Sequence, residues 1–286
     1  MVSGQSACLR RLARGRRSGI VGFGRFLANG RVTVESLIEG WGETTSKACA
    51  GLHVLAIQDT SELNFSTTRQ TRRGLGKIGK GGGHGLLLHA MLGVDADTGG
   101  LLGLVAGQVW TRSGPAKVHY QKRALADRES QRWLSTGEAA KPVLAQAAMV
   151  TEVSDRESDL YARWARTPEP GFHVLTRAMG DRRIEEGGKT LSSAPLTSAG
   201  MALVEAVRER PGRAERQAHL LVRFGQVTLE RPYSRNEPGL PRTIAVNLVE
   251  VTELDPPAGV EPILWRLLTT HLVADTAMAW RVVGHH

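Results

Sequence analysis

The sequence predicts an α/β fold with a mixed sheet, followed by a β-rich segment. Three observations carry that prediction. Short apolar runs that read as strands alternate with helical patterns between residues 53 and 176. Two of those runs flank Asp95-Ala96-Asp97-Thr98-Gly99-Gly100, a hairpin turn, so strand direction is mixed. From Gly180 to Thr270 helical patterning fades, and strand-like runs separated by turns take over.

The elements follow in order. Val32 to Ile38 reads as a turn into a helix, with Thr33 as its cap and Ser36 in the first turn. His53 to Gln58 is β-rich and reads as a buried strand ending at Asp59. Thr67 to Gly85 is a polar, glycine-rich connection. Leu86 to Val94 and Leu101 to Trp110 form the predicted hairpin. Ala124 to Ala148 is helical in pattern despite Gly137 and Pro142. Met149 to Val153 is a strand that ends near Asp155, Asp159 to Trp164 starts a helix, and Phe172 to Thr176 is a further strand. In the β-rich segment 180–270, Met201 to Arg208 is the one stretch that reads as a helix. Val273, Ala277, Trp280 and Gly284 recur at helical spacing and predict the buried face of a last helix.

Composition narrows the class. The 286 residues are 41% hydrophobic, 23% charged and 5% aromatic, which is a globular composition. No apolar run is long enough for a transmembrane helix, so no membrane partner is expected. Cys8 and Cys49 have neither CxxC nor zinc-ligand spacing, which speaks against a disulfide scaffold or a structural zinc site and for a reducing compartment.

The net charge is +9, and it is clustered. Residues 1–34 hold seven arginines and no acid; they read as a basic, disordered tail over residues 1–23. Residues 63–126 hold Arg69, Arg72, Arg73, Lys77, Lys80 and four more basic residues against two aspartates. Two solvated basic loops would explain this, and so would a surface that tracks phosphates.

Gly74-Leu75-Gly76-Lys77-Ile78-Gly79 fits GxGxxG, but the motif needs a strand before it and a helix after it, and glycines and a strand follow here. A basic loop along a nucleic-acid backbone is the better reading. His84, His89, His271, His285 and His286 show no ligand pairing, and His89 inside an apolar strand reads as a hydrogen-bonded core residue. Asp59 and Asp155 stand out because each follows an apolar strand directly. Side by side, two such strands would bring both carboxylates to one divalent ion. Turn or cap aspartates are the plain alternative.

Ile57-Gln58-Asp59-Thr60-Ser61-Glu62-Leu63-Asn64-Phe65 resembles the first-aspartate motif of DDE transposases of bacterial insertion sequences, in the insertion-sequence-four family with its Tyr-Arg-Glu-Lys signature. Val153-Ser154-Asp155-Arg156-Glu157-Ser158-Asp159-Leu160-Tyr161 resembles the second-aspartate motif of that family, and the resemblance runs from about Gly24 to Val283. It implies an RNase H-like core over 51–179 and 271–286, a β-rich insertion over 180–270, and a remnant of a DNA-recognition region over 24–50. It implies cut-and-paste DNA transposition with Mg²⁺ or Mn²⁺. Asp59 and Asp155 would be catalytic metal ligands, Arg177 a DNA contact, and Trp265 a platform for a flipped base. Double-stranded DNA at transposon ends and target, a homodimer, and a cytoplasmic, nucleoid-associated location are the further implications. The family's third carboxylate lies in Tyr-x-x-Arg-x-x-x-Glu, and here Gly284-His285-His286 follows Val283 with no later Glu. The expectation is a copy shortened at both ends and inactive alone. The alternative is a non-catalytic DNA-binding remnant acting on transposon ends or inhibiting an intact transposase.

Overall fold

A computed structural model describes residues 8–65, 74–79, 83–112, 130–186, 190–207, 215–233 and 239–286, with the side chains of 200–207 excepted. Three N-terminal helices come first: α1 (Leu9–Leu12), α2 (Arg17–Ala28) and α3 (Val34–Cys49). The strands β1 (His53–Asn64), β2 (Gly76–Ile78), β3 (Gly83–Asp95) and β4 (Leu101–Trp110) follow, then α4 (Gln131–Val143), β5 (Met149–Ser154), α5 (Tyr161–Arg166) and β6 (Phe172–Arg177). The chain closes with β7 (Thr197–Val207), β8 (Arg216–Glu230), β9 (Thr243–Leu254), β10 (Leu264–Thr269) and α6 (Thr276–His285).

The ten described strands form one mixed sheet in the order β2-β3-β1-β5-β6-β10-β9-β8-β7, with β4 also on β3. β4, β3 and β1 are antiparallel neighbours, whereas β1, β5 and β6 are parallel. Helices α3, α4 and α5 cover one face around Val54, Ala56, Trp133, Trp164 and Val174. Helix α6 covers part of the other around Leu55, Val153, Leu175 and Leu267. This alternation of neighbouring strand residues between two cores is what the period of two in a pleated strand requires.

Local chemistry sets several boundaries. Thr33 and Ser36 form a reciprocal capping box at the start of α3, with side-chain bonds of 3.1 and 2.9 Å. Asp275 caps α6 by accepting from the Met278 amide at 2.8 Å. In the β3–β4 turn, Asp95 accepts from the Asp97 amide and the Thr98 hydroxyl, and Gly99 adopts φ +70°.

Five expectations need correction. The arginine-rich start is helical over α1 and α2 rather than a disordered tail across residues 8–23. The glycine-rich stretch is not all loop, because Gly76–Ile78 pairs with β3. Met201 to Arg208 is not a helix: residues up to Val207 belong to β7, where a ladder with β8 overrides local helix preference. Strand β1 does not stop at Asp59 but runs on to Asn64 against β3. The buried face of α6 is Ala279 and Val282, with Ala277 and Gly284 exposed. Val273 precedes the helix, so counting from it set the wrong phase. The β-rich segment 180–270 also hydrogen-bonds edge to edge with the rest, since β10 pairs with β6.

Candidate functional site: a carboxylate row at the ends of the parallel strands

The pairing of β1 with β5 ends at Gln58↔Ser154, and that of β5 with β6 ends at Ser154↔Thr176. Asp59, Asp155 and Arg177 are the next residues on these three strands. Neighbouring strands lie about 4.8 Å apart, so the three side chains form a row on one face. Arg177 pairs in register with Leu267 of β10, and Trp265 lies two residues further along β10 on the same face. The structure therefore brings Asp59, Asp155, Arg177 and Trp265 to one region of the sheet.

Each has local partners. Asp59 is exposed, and its Oδ1 accepts from the Thr60 amide at 2.6 Å. Asp155 is exposed, and its Oδ1 accepts from the Glu157 amide at 2.9 Å, capping a 3₁₀ turn over Arg156–Ser158. The plain cap role is thus real for Asp155, and it leaves the carboxylate at the surface. Arg177 is half-buried and donates to the Leu264 carbonyl at 3.0 Å; burial, and then the nearby Arg156, lower its pKa. Trp265 is half-buried against the core under α6, with the His286 ring 6.2 Å away.

Lys77 is exposed on β2 opposite His84, six residues along β3 from the partner of Asp59, a displacement of about 20 Å. It belongs to a different part of the surface. Arg69, Arg72, Arg73 and Lys80 lie outside the described residues.

Sequence reasoning missed Arg132, and it placed Glu157 in the second-aspartate motif without a partner. Arg132, from α4, donates through Nε to Thr60 Oγ1 at 2.8 Å and through Nη2 to Glu157 Oε2 at 3.0 Å. Its guanidinium lies 5.1 Å from the Trp133 ring and 5.8 Å from the Trp110 ring. It ties the residue after Asp59 to the turn capped by Asp155. The only sequence signal for it was a cation next to Trp133 in the helix.

On the opposite face, beneath the row, lies a buried polar network. His89 touches Thr60 Oγ1 through Nδ1 at 2.8 Å and Gln58 Oε1 through Nε2 at 2.9 Å. Gln58 Oε1 can only accept, so Nε2 carries the proton and Nδ1 accepts from Thr60. Burial, with Arg132 and Arg163 adding to it, pushes the His89 pKa down to about 4, which keeps this neutral tautomer. Gln58 donates to Glu152 Oε1, and Arg163 donates to the same oxygen from Nε at 3.0 Å and Nη2 at 2.8 Å. Glu152 and Arg163 are fully buried, and burial pushes the Glu152 carboxyl up while Arg163 opposes it. His89 is the hydrogen-bonded core residue its strand context predicts.

Asp159 is buried and accepts from Trp164 Nε1, the Met179 amide and Arg182 Nε, each at 2.9 Å. It is a structural carboxylate. Among the described residues, no group of three or more His, Cys, Asp or Glu side chains could hold a metal ion. Two adjacent surface carboxylates are a hard oxygen donor set that suits one Mg²⁺ or Mn²⁺ with water completing the shell. They do not make a two-metal centre.

No protein-family model matches this chain. One solved structure it is similar to is the cryo-EM structure of a piggyBac transposase synaptic complex with hairpin DNA, at a TM-score of 0.32 and 12% identity. The similarity covers 76% of this chain and 37% of the piggyBac chain. Among the described residues, no helix is long and apolar enough to cross a membrane.

Proposed function

We propose that the chain is a DNA transposase of the DDE class with an RNase H-like core, akin to the insertion-sequence-four family. The observation that carries this reading is the placement of Asp59 and Asp155. They follow the last register pair of two parallel neighbours, in a sheet whose antiparallel β4-β3-β1 set continues into parallel β5 and β6. That strand order and direction support the RNase H-like reading, as does the exposure of both carboxylates just beyond the last register pairs.

A bound Mg²⁺ or Mn²⁺ would supply Lewis acidity toward a phosphodiester. Asp59 and Asp155 would hold it. Arg177 beside Asp155 offers a charge to a DNA phosphate, and an indole such as Trp265 gives about 1–3 kcal/mol when it stacks on a base. The exposed Lys77 would give the duplex a further phosphate contact that carries no sequence information.

A second reading is favoured by the donor count. With two carboxylates and no third among the described residues, the chain holds one ion and binds DNA without cleaving it. The test takes the purified chain and a labelled duplex. Mn²⁺ titration should differ between wild type and Asp155→Asn, and identical titrations would remove Asp155 from the site. Metal-dependent nicking by this chain would favour a complete active site, and DNA binding without nicking would favour the two-carboxylate reading.

A further inference from the structure

The buried network does more than fill the core under the row. Gln58 precedes Asp59, Ser154 precedes Asp155, and Thr176 precedes Arg177, so each residue of the row follows one whose side chain turns to the opposite face. Those inward residues are all joined. On one side Gln58 donates to Glu152 Oε1. On the other, Arg163 Nη1 donates to Ser158 Oγ at 3.0 Å. Ser158 Oγ lies 2.6 Å from Ser154 Oγ and 2.7 Å from Thr176 Oγ1. The Asp155 carbonyl receives the Ser158 hydroxyl at 2.8 Å and the Thr176 hydroxyl at 2.7 Å. Arg163 is the hub, with one guanidinium edge on Glu152 and a remaining nitrogen on the hydroxyl cluster.

From this we infer that Arg163, acting through Glu152–Gln58 and through Ser158–Thr176, is a positioning residue that sets the spacing of the Asp59 and Asp155 strand ends.

The chemistry favours that role over a purely stabilising one. A fully buried ion pair is poor value for stability, since desolvation offsets most of its attraction. Glu152 Oε2 has no hydrogen-bond partner, so the pair is not optimised for stability. The geometry is instead directional. A planar guanidinium fixes two groups at once, which a lysine ammonium cannot do with the same rigidity. The carbonyl anchored by Ser158 and Thr176 belongs to Asp155 itself, beyond the last ladder pair, and the Ser158 amide also donates to it at 3.1 Å in the 3₁₀ turn.

The inference rests on the proposed function for its consequence, metal binding, but its geometric part can be read without metal. The pair Asp59→Cys/Asp155→Cys, in a Cys8→Ser background, reports the spacing directly. Strand neighbours lie within the 4.4–6.8 Å Cα separation of disulfides, so the two thiols should cross-link rapidly on mild oxidation. Thr176→Val is close to isosteric and removes the hydroxyl that the Ser154 and Asp155 carbonyls share. Glu152→Met/Arg163→Met replaces the pair with apolar side chains and avoids a lone buried charge. Both should slow cross-linking at least tenfold. In the chain with native aspartates both should weaken Mn²⁺ binding at least tenfold, well below the melting temperature. Arg163→Lys should recover part of the loss. Arg223→Met, which removes an ion pair in β8, should leave both readouts unchanged.

Unchanged cross-linking in Thr176→Val and in the double variant would overturn the inference, whatever happens to Mn²⁺. Slowed cross-linking, in a protein whose wild type and Asp155→Asn titrate identically, would uphold the positioning role and overturn the proposed function instead.

Discussion

Two halves of the same sheet carry buried acid–base pairs, and they use them differently. In the parallel half, Glu152 of β5 and Arg163 of α5 are both fully buried, with 2.8 Å between Arg163 Nη2 and Glu152 Oε1. In the antiparallel half, Glu250 of β9 meets Arg223 of β8 and Arg266 of β10, and the side chain of Arg223 is 42% exposed. Arg223 and Arg266 stand on strands that flank β9, and each registers opposite Glu250. The Glu250 trio is therefore a cross-strand staple at a half-wet surface, in the manner of opposite-charge pairs on any sheet. The Glu152 pair joins a strand to a helix inside the core and reaches both carboxylate-bearing strand ends. Burial depth, rather than the residue types, separates a staple from a frame.

The largest effect that would break this comparison comes from removing one partner. Arg163→Met leaves Glu152 buried and uncompensated, and should cost about 3–5 kcal/mol in urea unfolding. Arg223→Met, with its solvated guanidinium and Arg266 still on Glu250, should cost about 0–1 kcal/mol. Equal losses would show that both pairs are ordinary staples. Next in size is Gly137→Ala. A Cβ there would stand 2.9 Å from Glu152 Oε2, so α4 must shift or the carboxylate must move, at about 1–3 kcal/mol by overpacking. Alanine is otherwise the better helix residue. A stabilised Gly137→Ala protein would mean that the Glu152 carboxylate is free to give way.

Much of the row was legible in the sequence, and the frame was not. Asp59 and Asp155 stood out because an acid after an apolar strand is a local signal that survives without knowledge of pairing. Their adjacency needed the parallel register of β1 and β5, which nothing local specifies. Arg163 was invisible for a related reason. In a six-residue helix between Ala162 and Trp164 it looks like a solvated cation, and only the packing of α5 against β5 buries it. Met201 to Val207 misled because its alternation is weak and the deciding partner, β8, comes later in the chain. The phase of α6 was misjudged because Val273 looks helical in spacing yet lies before the Asp275 cap.

The amino ends of the same parallel strands sharpen the contrast through pH. There His53 Nε2 and His271 Nε2 share the Thr151 hydroxyl at 2.8 and 2.7 Å, and the His173 and His271 rings stack at 3.9 Å. Burial, aided by neighbouring histidines, pushes His271 down to about 3, and burial also lowers His53, His173 and His285. A histidine held below its unfolded value of about 6.5 binds fewer protons in the native state than in the unfolded one. Its stability contribution is complete above pH 6.5 and is lost as pH falls toward the folded pKa. His271 alone should therefore lower the unfolding free energy by roughly 2 kcal/mol from pH 7 to pH 5, and His89, held near 4, should add a similar amount. His271→Gln, which keeps a polar partner for Thr151, should flatten that slope. A slope equal in both proteins would place the pH dependence elsewhere, with His89 as the next residue to replace.

The smallest expected effect concerns the edge of the parallel half's antiparallel extension, where Lys77 lies about 20 Å from the carboxylate row along β3. Under the proposed function this surface meets phosphates, and a phosphate contact has a defined signature. Each neutralised phosphate releases counterions and contributes about 0.9 to the slope of log K against log salt. Lys77→Ala should lower that slope by about 0.9, and the set Arg69, Arg72, Arg73, Lys77 and Lys80 replaced together should lower it by up to about 4. Stability should stay within about 0.5 kcal/mol for the single change, because an exposed side chain on a three-residue edge strand packs against little. Arg223→Ala in the antiparallel half should leave the slope as it is, since its charge is already spent on Glu250. A slope unchanged by Lys77→Ala but lowered by Arg223→Ala would reverse the two halves: DNA would lie across β8 and β9, and the carboxylate row would no longer face the bound duplex.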